Sequence, residues 1–524
     1  MLLEMTDLRV EVTDRSNTVI LEDVNLQLSR GEVLGVIGES GAGKSTVGLA
    51  ALGHSRPGTR IARGRVLLDG VNIRALPHRS LLHLRADRTG YVAQSAASAF
   101  NPAHSLNYQL CEVPVRHGLM SVAEARAHAR TLFKRLLLPE PDHFGERYPH
   151  QASGGELQRA MAAMALMCKP DLIIMDEPTS ALDVTSQATF IQIMRKLIVE
   201  DGLAALYISH DLAIISQLST RIMVLQNGKV EEQGPADQVI RAPASAYTRA
   251  LVEARSVPVP PARLPMAGRR KVLDVRDVTK RFQSGNAVLD RISVALWEGE
   301  TLAIVGESGS GKTTLARIIA GLLTPDTGEV RIDGQVAKVL AQRSPQLRRE
   351  VQLVHQHADL ALNPAHSVRE IIGRPLEFFF SMRRQQRDAK VRELLLAVGL
   401  SPELSNRKPA TLSGGQKQRV CIARALAAEP RILICDEVTA ALDYLIAHEI
   451  VELLRNLKQT RNLACLLITH DFEIVEALAD RVTVLRRGVI VEAGLREQVM
   501  TYPKDPYTAN LLAAVPRLSA GTLL

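Results

Sequence analysis

The sequence predicts an α/β protein made of two copies of one domain, each a parallel sheet whose strands deliver phosphate-binding and acid–base groups to a common edge. Three observations predict it. A glycine-rich loop, GESGAGKST (Gly38–Thr46), returns as GESGSGKTT (Gly306–Thr314), so that Lys44 and Lys312 stand 268 residues apart. ASGGE from Ala152 returns as LSGGQ from Leu412, IIMDEPTSALD as LICDEVTAALD, and ISHD as ITHD, each pair offset by 260 residues. Finally, apolar, β-branched runs alternate with helical stretches in both halves. A repeat of this length is a duplicated domain, because solenoid repeats have periods of only about 20–50 residues.

The elements follow in the same order in each half. MLLEMTDLRVEV and VLDVRDVTKRF open the halves with strand character. VLGVIG (Val33–Gly38) and LAIVG (Leu302–Gly306) are buried strands that feed the glycine loops, and a helix starts from each Lys-Ser/Thr pair. The strands YVAQ and LVHQ end at Gln94 and Gln356. Next come SVAEARAHARTLFKRLLL and MRRQQRDAKVRELLLAVGL, whose helical periodicity and lack of strand character imply an inserted helical subdomain. LIIMD and ILICD end at carboxylates, and LAALYIS and ACLLIT end beside a histidine. The expected division is a first domain over 1–255, a linker over 256–271 and a second domain over 272–524. The linker, SVPVPPARLPMAGRRK, carries four prolines and reads as a semi-rigid exposed tether.

Composition narrows the class. With 46% hydrophobic and 23% charged residues the 524-residue chain is globular rather than disordered. No apolar run approaches the roughly 18–20 residues that span a bilayer, and the acidic start (Glu4, Asp7) is unlike a signal peptide, so a cytosolic protein is expected. Five cysteines (Cys111, Cys168, Cys421, Cys435, Cys465) without CxxC spacing argue against disulfides or zinc and for buried reduced thiols. A net charge of +8 is mild over this length and forms no Lys/Arg block, so it gives little indication of nucleic acid.

The chemistry sits in the repeated motifs. In GxxxxGK[ST] the glycines let backbone N–H groups turn toward phosphates, the lysine reaches the β/γ-phosphates and the hydroxyl ligates Mg²⁺. Gly38, Ser40, Gly41, Gly43, Lys44, Ser45 and Thr46 form one candidate ATP loop; Gly306, Ser308, Gly309, Gly311, Lys312, Thr313 and Thr314 form the other. Asp176 and Asp436, at strand ends, are placed to hold Mg²⁺ with Ser45, Thr313, Gln94 and Gln356. Glu177 and Glu437 are candidate bases for the attacking water, and His210 and His470 candidate γ-phosphate contacts. Ser153-Gly154-Gly155-Glu156 and Ser413-Gly414-Gly415-Gln416 start helices, which reads equally as an anion site or as an ordinary N-cap.

Phosphate loop, glutamine, SGG signature, strand-DE, SALD or AALD and strand-His, in this order twice, resemble tandem ATPase subunits of ATP-binding cassette (ABC) transporters. The resemblance implies RecA-like P-loop domains, each with an antiparallel β subdomain and an inserted helical subdomain. It also implies two composite sites: Lys44, Gln94, Asp176, Glu177 and His210 with Ser413–Gln416, and Lys312, Gln356, Asp436, Glu437 and His470 with Ser153–Glu156. QSAASAFNP, QHADLALNP, RYPHQASGG and the tails PASAYTRALVEA and PKDPYTANLLAAVP look like oligopeptide, dipeptide and nickel importers. That subfamily implies an ATPase on the cytoplasmic face of the bacterial inner membrane, driving two transmembrane permease subunits while an extracytoplasmic binding protein supplies a peptide, a nickel chelate or an opine. The sequence departs from the pattern in three places. Ala152 and Glu156 replace the usual Leu and Gln of a signature, Phe282 stands about where the family stacks adenine while no aromatic precedes Gly38, and no cysteine between Cys168 and Cys421 supports an iron–sulfur cluster. The rival readings are a soluble tandem ATPase acting on ribosomes or nucleic acid, which lacks its long charged linker or zinc modules here, and a non-hydrolysing scaffold, which the two intact glutamates disfavour.

Overall fold

The computed structural model describes the chain except residues 14–17, 181, 255–267, 283–286, 440–441, 517 and 519–524. The described residues form two compact units whose main segments are Met1–Ala254 and Arg255–Val515. Most of the expected linker, 256–267, lies outside the described residues, and Lys271 already opens the strand Lys271–Arg281.

Each unit has a six-stranded sheet. In the first its neighbours run Lys229–Pro235, Arg221–Gln226, Val33–Ile37, Ala204–Ile208, Leu172–Asp176, Thr89–Val92. In the second the same order holds, with Val489–Leu495, Arg481–Arg486, Thr301–Val305, Ala464–Ile468, Ile432–Asp436 and Val351–Val354. All pairings are parallel except that of the outermost strand after each Arg221–Gln226 or Arg481–Arg486. Val33–Ile37, Leu172–Asp176 and Ala204–Ile208 are buried throughout, because helices and the second sheet cover both faces. The continuous apolar runs VLGVI, LIIMD and AALYI report that double burial.

The opening strands belong to a separate antiparallel sheet, Val19–Leu28, Leu3–Val12, Thr59–Leu68 and Val71–Asn72, repeated as Ala287–Trp297, Lys271–Arg281, Thr327–Ile332 and Gln335–Val336. Its apolar face and that of the main sheet enclose the helix after the glycine loop: Leu3, Met5, Leu8, Val47, Ala50, Leu34, Val36, Ile174 and Ile208 share one cluster. Each of these side chains larger than alanine contributes roughly 1.5–3 kcal/mol by leaving water. The strand Thr59–Leu68 is too polar to be found by hydrophobic runs, and Gly64 bends it: a Cβ there would lie 2.6 Å from Leu8 Cα, where the ladder shifts register.

Between the glutamine strands and the signature segments the described residues hold helices and no strand, as expected. SVAEARAHARTLFKR forms the helix Val122–Arg135 with a Ser121/Glu124 capping box, and MRRQQRDAKVRELLLAVGL contains Arg384–Ala397. All five cysteines are free, but Cys168 is only half-buried rather than buried. No described helix is long and apolar enough to cross a membrane.

A short tail helix closes each unit, Ala246–Ala254 and Pro506–Ala513. Glu232 on the outermost strand accepts from the backbone N–H groups of Ala244 (2.9 Å) and Ser245 (3.0 Å), and Glu492 accepts from Lys504 (2.9 Å) and Asp505 (3.2 Å). For Glu232 burial works against the charge, yet the two amide hydrogen bonds outweigh it and lower the pKa below 4.5. A lowered carboxyl stabilises the fold above its unfolded value and ceases to do so as pH falls through its folded value. Glu232→Gln is therefore expected to cost about 1 kcal/mol at pH 7, and its unfolding midpoint should converge on that of the parent chain below pH 4.5; a constant gap across a pH series of thermal melts would contradict this.

Candidate active sites

The C-terminal ends of the parallel strands bring the repeated groups together. Gly38 directly follows the strand Val33–Ile37, and Lys44 starts the helix Lys44–Ala51 behind Gly43, whose backbone has a left-handed φ of 100°. The Lys44 ammonium is 6% exposed and donates to the carbonyls of Gly38 (2.7 Å) and Glu39 (2.9 Å) of its own loop. Lys312 does the same to Gly306 and Glu307, both at 2.8 Å. A buried cation must be hydrogen-bonded. These carbonyls supply those hydrogen bonds.

Two strands over from the loop strand, Asp176 pairs with Ile208 of the strand between, so Glu177 and His210 emerge side by side beyond the same edge. Ser45 Oγ donates to Asp176 Oδ1 at 2.9 Å, and Thr313 Oγ1 to Asp436 Oδ1 at 3.2 Å. Gln94 Nε2 donates to Glu177 Oε2 (3.0 Å) and Gln356 Nε2 to Glu437 Oε2 (2.5 Å). His210 Nδ1 lies 3.3 Å from Glu177 Oε1, as His470 Nδ1 does from Glu437 Oε1, and Lys44 Nζ is 3.9 Å from Glu177 Oε1. Hydroxyl and carboxylate side by side are hard oxygen donors of the type Mg²⁺ selects.

The charges are set by this contact pattern. Burial raises the Asp176 and Asp436 pKa values above 3.8, helped by the adjacent Glu177 and Glu437 charges. Burial also opposes ionisation of Glu177 and Glu437, but the hydrogen bond and charge of the histidine, with the lysine charge, outweigh it and leave both below 4.5. For His210 and His470, burial favours the neutral ring, but the glutamate hydrogen bond and charge prevail and lift both above 6.5. Each unit thus holds an ionised glutamate against a histidine whose protonation is favoured.

Three features were not read from the sequence. Glu177 and Glu437 adopt left-handed φ of 46° and 48°, while their N–H groups donate to Ile208 and Ile468 carbonyls (2.9 Å each). Such a backbone costs about 1–3 kcal/mol in a non-glycine residue and is held only by its surroundings. Tyr91 OH donates to Asp176 Oδ2 (3.0 Å); Leu353 occupies the matching place in LVHQ, so the second carboxylate lacks that partner. The tail tyrosines Tyr247 and Tyr507 accept from the loop amides of Glu39 (3.1 Å) and Glu307 (3.2 Å). In the sequence Tyr91 was one letter of a strand and Tyr247 one of a tail; contact alone gives them meaning.

Ser153–Glu156 and Ser413–Gln416 are built as capping boxes: the serine hydroxyl accepts from the N3 amide, and Glu156 or Gln416 accepts from the serine N–H (2.7 and 3.1 Å). Gln158, buried in the first signature helix, donates to Ala93 O (3.1 Å) directly before Gln94. Phe282 follows the strand Lys271–Arg281, 47% exposed, with Lys280 Nζ 5.9 Å from its ring centroid.

A family model described as ABC transporter matches residues 21–180 and 289–440. The chain belongs to the ABC transporter family. A second model, the C-terminal region of oligopeptide/dipeptide transporters, matches 231–282 and 491–523, so both halves carry the peptide-transporter tail. The chain is similar to the glutathione import ATP-binding protein GsiA of Escherichia coli (35% identical, 96% of this chain and 87% of the relative) and of Pectobacterium atrosepticum (36%, 95% and 87%). An archaeal ribosome recycling factor solved with a ribosomal stalk protein is 22% identical over 91% of this chain and 87% of its own, with a TM-score of 0.63; that likeness shows the fold alone. This ABC chain is therefore an ATP-binding, energy-coupling subunit, an ATPase coupled to transmembrane transport, with the two RecA-like domains, antiparallel sheets and helical insertions expected of it.

The tightness of the loop is testable. A Cβ on Gly38 would lie 2.2 Å from the Leu225 carbonyl oxygen, whereas one on Gly41 (φ 83°) meets nothing within 4 Å. Gly38→Ala is expected to lose about 2–4 kcal/mol and Gly41→Ala about 1 kcal/mol, the latter from backbone conformation alone. Equal denaturant midpoints for the two variants would contradict this geometry.

Proposed function

We propose that the chain powers import of a peptide or peptide-like solute across a bacterial inner membrane, with two transmembrane permease subunits as partners and an extracytoplasmic binding protein presenting the solute. The single observation that carries the catalytic part is the convergence, twice over, of the loop lysine, the Asp-Glu pair, the glutamine and the histidine on one sheet edge. The relatives named for glutathione import support a small peptide as cargo. Nickel chelates and opines are the alternative cargoes. Peripheral attachment to the cytoplasmic face, through the permeases, goes with this assignment, as does the division into domains 1–255 and 272–524.

In this reading Lys44 and Lys312 exchange loop carbonyls for β/γ-phosphate oxygens, and the backbone N–H groups of Gly38–Thr46 and Gly306–Thr314 cradle the phosphates. Ser45, Asp176 and Gln94, and Thr313, Asp436 and Gln356, would hold Mg²⁺, which when bound neutralises charge between the β- and γ-phosphates. Glu177 and Glu437, kept ionised, orient water and accept its proton; His210 and His470 donate to the γ-phosphate. Ser153–Glu156 and Ser413–Gln416 offer helix N-termini to ATP.

Glu177→Gln and Glu437→Gln should each lower ATP turnover of the assembled complex by about 10²-fold or more while ATP binding persists. Turnover unchanged in both would remove them as bases. The aromatic ring of Phe282 should make its site bind ATP about tenfold or more tightly, as stacking contributes roughly 1–3 kcal/mol; equal azido-ATP labelling of the two halves at subsaturating ligand would contradict it. Co-purification with two multi-spanning proteins, and retention of a peptide by the accompanying binding protein, test the transport reading; co-sedimentation with ribosomes instead would overturn it.

A further inference from the structure

We infer that Tyr247 and Tyr507, on the C-terminal tails of the two units, are positioning residues of the ATP sites: each sets the peptide plane on which the loop lysine rests. This rests on reading Gly38–Thr46 and Gly306–Thr314 as ATP phosphate loops. The peptide group between Gly38 and Glu39 is held at both ends. Its carbonyl accepts from Lys44 Nζ at 2.7 Å, and its N–H donates to Tyr247 OH at 3.1 Å. In the second unit the Gly306 carbonyl accepts from Lys312 Nζ at 2.8 Å and the Glu307 N–H donates to Tyr507 OH at 3.2 Å. A planar, rigid peptide held by its N–H has its carbonyl direction fixed as well. The tyrosine therefore aims the oxygen that receives the ammonium.

The tyrosines are themselves anchored independently of the loop. Glu232 and Glu492 clamp the start of each tail helix through two backbone amides, and the neighbouring Thr248 and Thr508 are 1% and 0% exposed. Asp505 Oδ1 accepts from the Tyr507 N–H at 2.8 Å, and the Arg486 guanidinium lies 4.6 Å from the Tyr507 ring centroid. The hydroxyls thus come from the tails, some 200 residues beyond the loops they touch (208 and 200 in the two units). Both lie within the segments matched by the oligopeptide/dipeptide C-terminal region, which accordingly forms part of the nucleotide site. When phosphate draws the lysine forward, the carbonyl it leaves behind stays oriented, and the loop meets ATP without rearranging. Pre-organisation of this kind appears as affinity.

The test uses the full chain with one loop silenced. In a Lys312→Ala background, trinitrophenyl-ATP titration reports the first site, and Lys44→Ala isolates the second. Tyr247→Phe and Tyr507→Phe keep the ring and delete only the hydroxyl; each is expected to weaken binding at its own site roughly 3- to 10-fold, the worth of one hydrogen bond, with no more than a small fall in the unfolding midpoint from the same lost bond. Tyr247→Leu and Tyr507→Leu, which also remove ring packing, should lower the midpoint as well. If the tyrosines only pack, the Phe variants bind like their parents and only the Leu variants change, and the inference is overturned. If instead the Lys44→Ala, Lys312→Ala double variant binds the nucleotide as tightly as the unmodified chain, it is the loop reading that fails, and the inference falls with it.

Discussion

A buried ammonium is the constraint around which each unit is arranged. Lys44 and Lys312 are almost wholly withdrawn from water, and a cation there is tolerated only where oxygen atoms are fixed around it. Gly38 and Gly306 bring the strand end close enough to the next strand to present two carbonyls, the helix start supplies the lysine, and the tail tyrosine holds the peptide between them. The parallel sheet then sets Glu177 or Glu437 within charge range by pairing its strand next but one to the loop strand.

Duplication preserved this arrangement while changing its surroundings. Asp176 accepts from both Ser45 and Tyr91, whereas Leu353 leaves Asp436 with Thr313 at that edge. Arg486 lies against the ring of Tyr507, and Gln226 takes its place in the first unit. Glu156 gives the first signature a carboxylate where Gln416 gives the second an amide, yet both serve the same capping box because either oxygen accepts the serine N–H. The two sites therefore share a frame and differ in what surrounds the strand-end aspartate, the tail tyrosine and the start of the signature helix.

Much of this was legible in the residues. Double burial of a parallel strand demands a continuous apolar run, so VLGVI, LIIMD and AALYI announced themselves, and so did the carboxylates and histidines where those runs stop. The helical insertions were legible from 3.6-residue periodicity and the lack of strand character, and the structure adds the Ser121/Glu124 capping box at the start of one of them. The antiparallel strand Thr59–Leu68 was not, because one face is solvated and Gly64 interrupts its alternation. The left-handed backbone of Glu177 left no trace either: a glutamate is a poor signal for a conformation that its neighbours impose.

By itself the sequence determined the duplication, the sheet class, the loop chemistry and the transporter family, because each depends on residues adjacent along the chain. Only the tertiary structure decided that Tyr91 supports Asp176, that Gln94 rests on Glu177 and that Tyr247 and Tyr507 reach the phosphate loops. These contacts join groups about 80 to 210 residues apart. A tyrosine carries the same letter whether its hydroxyl meets water or a loop amide, and the difference arises only when strand order and the carboxylate clamp bring the tail to the loop.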